Sequence, residues 1–307
     1  MLREILDVMN MLDSAQVAGK DAQRLLEGAG AANVDVRRVE GETGATDFIK
    51  ARLPGNGKNA PTLGIIGRLG GVGARPNKIG LVSDADGAII SLACGIKLAR
   101  MARNGDRLPG DVMIATHICP RSPIIPHEPT PFMDSPVDMD QMNRHEVDPA
   151  MNAILSIDTT KGNWVVNRQG FAITPTVKQG YILRVSDSLL DIMRVVMNAP
   201  PVVFPITTQD ITPYGNDIYH VNSIMQPATA TSSPVVGVAT TASTPIPGCA
   251  SGANDPFSLE MAARFCVEVA KAYTRGEAQF HDETEFARLT ARYGSLRHLQ
   301  TTGEHGQ

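Results

Sequence analysis

An α/β fold is predicted for this chain, and three observations predict it. Short apolar runs bounded by turn residues, such as TLGIIG at 62–67, suit strands buried on both faces. Helical periods alternate with these runs, and strand–helix–strand in that order is the grammar of a sheet with covering helices. The 307 residues are 42% hydrophobic and 20% charged, an ordinary globular composition. A core of that size needs no disulfide or metal to stay folded. Length alone allows two domains or one large one.

Taken in order, Leu2 to Met11 reads as a helix with Leu2, Ile5, Leu6 and Met9 on one face, and Lys20 to Gly28 as a second. Val34–Val36 and Asp47–Leu53 alternate as half-buried strands before the turn Pro54–Gly57. After the 62–67 run, Ser83–Gly87 leads into a helix from Ala88 to about Arg103, and Leu108–Gly110 turns the chain into a strand at 111–116. Six prolines lie between Pro120 and Pro136, which forbids a helix or a central strand and predicts a long irregular loop. Further strands are expected at 153–157, 180–185 and 234–239, and a helix at 189–197. Asp255–Pro256 caps a last long helix with Phe257, Met261, Phe265 and Val269 along one face. The polar tail from about Thr301 is expected to fray.

Charge and composition exclude several function classes. Lys and Arg number 28 against 32 Asp and Glu, a net charge of −4, which supplies no basic stripe for nucleic acid. Residues 218–254 lack charge but are rich in Pro, Thr, Ser and Gly, so no membrane span is expected. The opening MLREILDVMN has charges where a signal peptide would carry its apolar segment. Four scattered cysteines (Cys94, Cys119, Cys249, Cys266) fit a reduced, cytoplasmic chain.

Ligands of open α/β sheets bind beyond the carboxyl ends of the strands, so the residues just after each apolar run are the informative ones. They are Arg68 with Gly70, Gly71 and Gly73, then Asp84 and Asp86, His117 and Cys119, Asp158, and Cys249. Each has a structural alternative. Asp84 or Asp86 would cap the following helix, Asp158 would close an Asx turn, and the cysteines would be small buried apolar residues. GRLGGVGARP lacks the helix-opening glycine of a phosphate loop, but Arg68 or Arg75 would suit an anionic substrate group. Asp217 and His220 are three apart, which on a helix would place a carboxylate beside an imidazole; otherwise the segment is a capped helix start.

The order of these segments resembles the co-catalytic zinc aminopeptidase and carboxypeptidase superfamily. TDFIKARLPG followed by TLGIIG is similar to that family's opening, SDADGAIISLACGIKLA to its bridging-aspartate strand end and helix, and LPGDVMIATHICP to its next strand. SIDTT, GNDIYH and VVGVATTASTPIPGCASGANDP are similar to its three later segments. The resemblance implies a three-layer α/β sandwich with a mixed, mostly parallel central sheet and helices on both faces. It matches Asp84 to the bridging metal ligand and Asp158 to a later one. The first ligand histidine falls on Arg68, its partner aspartate on Gly70, the Glu-Glu pair near Ile118–Cys119 and the last histidine near Cys249 or Ala250. The family's inserted lid is missing, since only 15 residues separate Arg68 from Asp84. One domain over 1–300 is therefore expected, with a flexible tail at 301–307.

The expected function is an amidohydrolase or peptidase-like hydrolase acting on a small peptide or cyclic amide. Asp84, Asp158, Cys119 and Cys249, with His117, are candidate ligands for one zinc or other divalent ion, with no metal at all as the alternative. His117, Cys119, Asp217 and His220 are candidate catalytic groups, and Arg68 and Arg75 candidate substrate-binding groups. Metal-free cysteine catalysis through Cys119 and a catalytically lapsed ligand-binding or oligomeric scaffold are the rival readings. The expected partners are a small-molecule or peptide substrate and a second copy of the chain, a homo-oligomer, rather than nucleic acid or membrane.

Overall fold

The computed structural model describes residues 1–303. Residues 301–303, where the flexible tail is expected to start, carry no helix or strand, and residues 304–307 of that tail lie outside the described part. Amphipathic helices α1 (Leu2–Leu12) and α2 (Gly19–Ala29) open the chain. The long hairpin β1 (Asn33–Gly41) and β2 (Gly44–Leu53) follows, then the fully buried β3 (Leu63–Gly67). Helix α3 (Asp86–Arg103) leads to β4 (Val112–Ile118). The proline-rich segment holds one small hairpin, β5 (Ile124–Ile125) with β6 (Phe132–Met133), before α4 (Met139–Glu146). Then come β7 (Ala153–Thr159), β8 (Gly170–Ile173), β9 (Val177–Lys178), β10 (Tyr181–Ile182) and α5 (Asp187–Met197). Strand β11 (Val235–Thr241), α6 (Pro256–Thr274) and α7 (Glu283–Tyr293) complete the order.

The strands form one mixed sheet in the order β1-β2-β4-β3-β7-β11-β9-β10, with β8 also paired to β11. Its centre, β4-β3-β7-β11, is parallel throughout, while β2, β8 and β9 join antiparallel. Apolar side chains on both surfaces of the central strands require cover on both sides. On one side α1, α2, α3, α5 and α6 pack Leu26, Ile89, Ile96 and Phe265 into the main core. The other side is thinner: the 3-10 helix at Ser223–Thr229 packs Ile224 and Met225 with Ile66 and Ile154, and α4 packs Met142 with Phe48. The expected three-layer α/β architecture is therefore present, with unequal layers.

Two small residues decide where the site sits. A side chain on Gly67 would collide with the Gly87 carbonyl, and one on Gly87 with the backbone of Arg68 and Leu69 and the Ile157 carbonyl. Their absence lets the start of α3 press against the carboxyl ends of β3 and β7, fixed by Ala88 N–H donating to the Leu69 carbonyl at 2.8 Å. Asp84 and Asp86 are thereby carried to the same sheet edge as Asp158. The segment 180–185, expected as one strand, is only the short β9–β10 hairpin at the sheet margin. No described helix is long and apolar enough to cross a membrane.

Candidate active site at the carboxyl edge of the sheet

Parallel strands β3, β4, β7 and β11 all end at one edge, so the residues after them converge there from distant parts of the chain. Asp84, Asp86, Glu146 and Asp158 are carboxylates gathered at this edge. They fall into two kinds.

Asp86 and Glu146 are neutralised by cations of the chain. Lys161 Nζ lies 2.5 Å from Asp86 Oδ2 and donates to the Ala253 carbonyl at 2.8 Å. Thr240 Oγ1 and Asn254 Nδ2 donate to the remaining lone pairs of Asp86 at 2.8 and 2.7 Å. The Glu146 carboxylate receives the Arg68 guanidinium on one oxygen and stands 2.5 Å from His117 Nδ1 through the other. All of these side chains are buried except Asn254, which is partly exposed. Burial alone would raise the Glu146 carboxyl, but the charge of Arg68 and the contacts to His117 outweigh it and hold Glu146 below its ordinary range.

Asp84 and Asp158 have no such cation. Asp84 accepts from Gly71 N–H at 3.1 Å and from the Cys249 thiol; a side chain at Gly71 would collide with its carboxylate. Asp158 accepts from Thr159 N–H at 2.6 Å and from Ser223 Oγ at 2.7 Å. Burial and then the negative charge of Asp158 push the Asp84 carboxyl up to about 7. Burial, with a smaller contribution from Asp86, pushes Asp158 up to about 6 despite the hydrogen bonds from Thr159 and Ser223 and the opposing charge of Arg68. Asp158 is 1% exposed, whereas Asp84 is the less buried residue of the two. Neither Asp84 nor Asp86 caps α3 through its side chain, which removes the capping alternative for both.

The loops build the surroundings. The segment after β11 lies over the start of α3, with Ser83 N–H donating to the Ser251 carbonyl and Ser83 Oγ to that of Cys249. The β5–β6 hairpin of the proline-rich loop leans on the same place: Met133 N–H donates to Cys249 Sγ, and Cys249 and Ala250 N–H donate to the Pro131 carbonyl. From the opposite side Tyr214 is close enough to Asp158 and Arg68 to feel both charges, while burial pushes its phenol up.

The candidate residues thus separate. Asp84, Asp158 and Cys249 come together. His117 and Arg68 are neighbours held by Glu146, with Arg68 also against the sulfurs of Met139 and Met142. Cys119 is tied by backbone bonds to Gly70 and Val72, and its sulfur environment is Ser122, Thr46 and Asp47 rather than the aspartate pair. Arg75 spends its guanidinium on the carbonyls of Asp13 and Pro120. The segment 214–220 is a loop and not a helix, so Asp217 is exposed at a φ of 58° while His220 is buried against Thr212 and Tyr214. Lys161, Glu146 and Ser223 were not singled out by sequence reasoning. The chain separation between Glu146 and Arg68, or Lys161 and Asp86, carries no local signature.

The donor set fits a two-metal centre poorly. Arg68 replaces one expected ligand with a permanent cation, and Lys161 places a second beside Asp86. Among the described residues no group of three His, Cys, Asp or Glu side chains is disposed to hold a metal ion. The Cys119 and Cys249 thiols are both pushed up by burial, Cys249 also by Asp84, and among the described residues no imidazole hydrogen-bonds either one. A reactive thiolate needs the opposite environment.

Comparison with known proteins bears on the fold. A tomato leucine aminopeptidase, solved as a lysine-to-glutamate mutant, superposes with a TM-score of 0.56 and 9% identity, over 87% of this chain and 61% of that one. The chain thus spans under two thirds of the aminopeptidase's length, and the likeness establishes a peptidase-like α/β fold. No curated protein sequence matches the chain. One family model does, that described as "Protein of unknown function (DUF1177)", over residues 37–303. The match takes in every element of the sheet edge from β2 onward, and the chain belongs to this DUF1177 family.

Proposed function

We propose that the protein is a peptidase-like hydrolase that cleaves an amide bond in a small peptide or cyclic amide, with Asp84 as its acid–base group. One observation carries this reading. Of the four carboxylates named at the carboxyl edge of the sheet, the least buried one is poised near neutrality, and a second, buried carboxylate is what helps hold it there. A general base works best when its pKa lies near the operating pH.

In the ionised form Asp84 takes a proton from a water molecule as that water adds to the amide carbonyl carbon. The carboxylic acid so formed returns the proton to the departing nitrogen, and Asp84 ends as it began. Asp158 acts on Asp84 and not on the substrate: its charge keeps Asp84 basic, while Thr159 and Ser223 fix its orientation. The hydrogen bonds from Gly71 and Cys249 aim the Asp84 carboxylate, leaving its other oxygen for water. The aminopeptidase-like fold supports amide hydrolysis as the reaction class by analogy.

The test is a panel of dipeptides and small cyclic amides assayed with purified protein near pH 7.5. Turnover that falls about 100-fold or more in Asp84→Asn, and survives in Cys119→Ser, is expected. Full activity in Asp84→Asn would refute the assignment. An inert wild-type protein across the panel would favour a ligand-binding role for the same sheet edge.

A further inference from the structure

We infer that the chain neutralises the acid-rich end of its sheet with two side-chain cations of its own, Arg68 and Lys161, and that the folded site is complete without a bound divalent metal ion. This departs from what the resemblance to zinc peptidases implies, and it rests on the arrangement of charges.

A divalent ion in a cluster of carboxylates does two things: it cancels their mutual repulsion and it fixes their orientation. Both are done here by side chains. Lys161 spans from the end of β7 to Asp86 at the start of α3 and ties in the Ala253 carbonyl of the loop after β11, so one ammonium joins three chain segments. With Thr240 and Asn254 it gives Asp86 three donors, two on one oxygen and one on the other. Arg68, from the end of β3, does the same for Glu146 at the end of α4, and Glu146 in turn holds His117 at the end of β4. Each cation therefore cross-links strand ends to a helix, as a structural metal would.

Arg68 is also an obstacle to a metal. A guanidinium has donors only and stays charged at any pH a protein meets, so at a ligand position it offers no lone pair. Its charge, fully buried, repels a divalent ion approaching Asp158 through a medium that screens poorly. Asp84 and Asp158 are themselves already held by Gly71, Cys249, Thr159 and Ser223. No cage of three or more ligands surrounds them among the described residues.

The experiment reads composition and stability, so its outcome is independent of whether amide hydrolysis is the activity. Full-length protein is produced in medium supplemented with zinc and manganese, purified without chelator, dialysed, and analysed for transition metals. Its melting temperature is then recorded alone, in EDTA, and with added zinc or manganese. Less than about a tenth of an equivalent of any metal is expected, with a melting temperature that EDTA does not move. Close to one equivalent of retained metal, or a fall in melting temperature with EDTA, would overturn the inference. A saturable rise with added metal that Asp84→Asn abolishes would do so as well. A rise that Asp84→Asn leaves intact locates the ion elsewhere and sustains the inference.

Discussion

Two pairs of acidic residues share one edge of the sheet and live under opposite electrostatic rules. Asp86 and Glu146 are buried beside Lys161 and Arg68, with further contacts from Thr240 and Asn254 to the first and from His117 to the second. Asp84 and Asp158 accept hydrogen bonds only from uncharged groups, and Arg68 acts on Asp158 through its charge alone. The first pair lowers the energy of the fold once both partners are in place. The second raises it whenever both members are ionised. A carboxylate that the fold leaves uncompensated, at the edge where ligands bind, marks where chemistry rather than architecture sets the residue type.

The contrast breaks most visibly if a cation is removed from the neutralised pair. Lys161→Met leaves Asp86 buried and unpaired, and a loss of about 3–5 kcal/mol is expected in equilibrium urea unfolding, with partial recovery in the double variant Lys161→Met/Asp86→Asn. A change within experimental error would mean that Lys161 is not the structural counter-ion described here.

The uncompensated pair is expected to respond in the opposite direction. The folded-state pKa of Asp84, about 7, lies above its unfolded value of 3.8, so the folded chain holds the proton more tightly. Between those limits the unfolded state binds fewer protons, and stability falls as pH rises through the window. Asp84→Asn should therefore stabilise the protein at pH 8 by about 1–3 kcal/mol, discounted for the partial exposure of the side chain, and leave stability at pH 4 nearly unchanged. A stabilising change that also destroys activity is the trade expected at a working site. Destabilisation at pH 8 would put Asp84 in the structural class with Asp86.

Much of the fold was legible in the sequence because its elements are marked locally. The apolar run at 62–67 and Asp255–Pro256 before α6 carry their own periodicity and caps, and both appear where expected. Helix α4 was not legible: MDQMNRHE carries no apolar stripe, and its role is to place Glu146 against Arg68 and His117. Nor was α7, a short polar helix that buries Phe286 alone. At the site, Asp84 and Asp158 could be picked out because strand ends are where ligands bind. The assignment of Arg68 to an anionic ligand missed that its anion is internal, supplied 78 residues later. The Asp217–His220 spacing suggested a helical pair, but Gly215 at positive φ and the turn at Asn216 break any helix there.

The smallest effect belongs to that last pair. Asp217 is exposed and remote from any ion pair, so Asp217→Asn should change stability by no more than about 0.5 kcal/mol and leave turnover intact. A large loss of activity would move the site toward the 214–220 loop and away from the carboxylate pair.

The most direct trial of the uncompensated pair is a titration of the side-chain carboxyl carbons by NMR in selectively labelled protein. Asp84 and Asp158 should titrate as a coupled pair with apparent pKa values near 7 and 6, the upper step disappearing in Asp84→Asn. If both carboxyls instead lose their protons at or below about pH 4, as free side chains do, the site holds no poised acid–base group and the account is wrong.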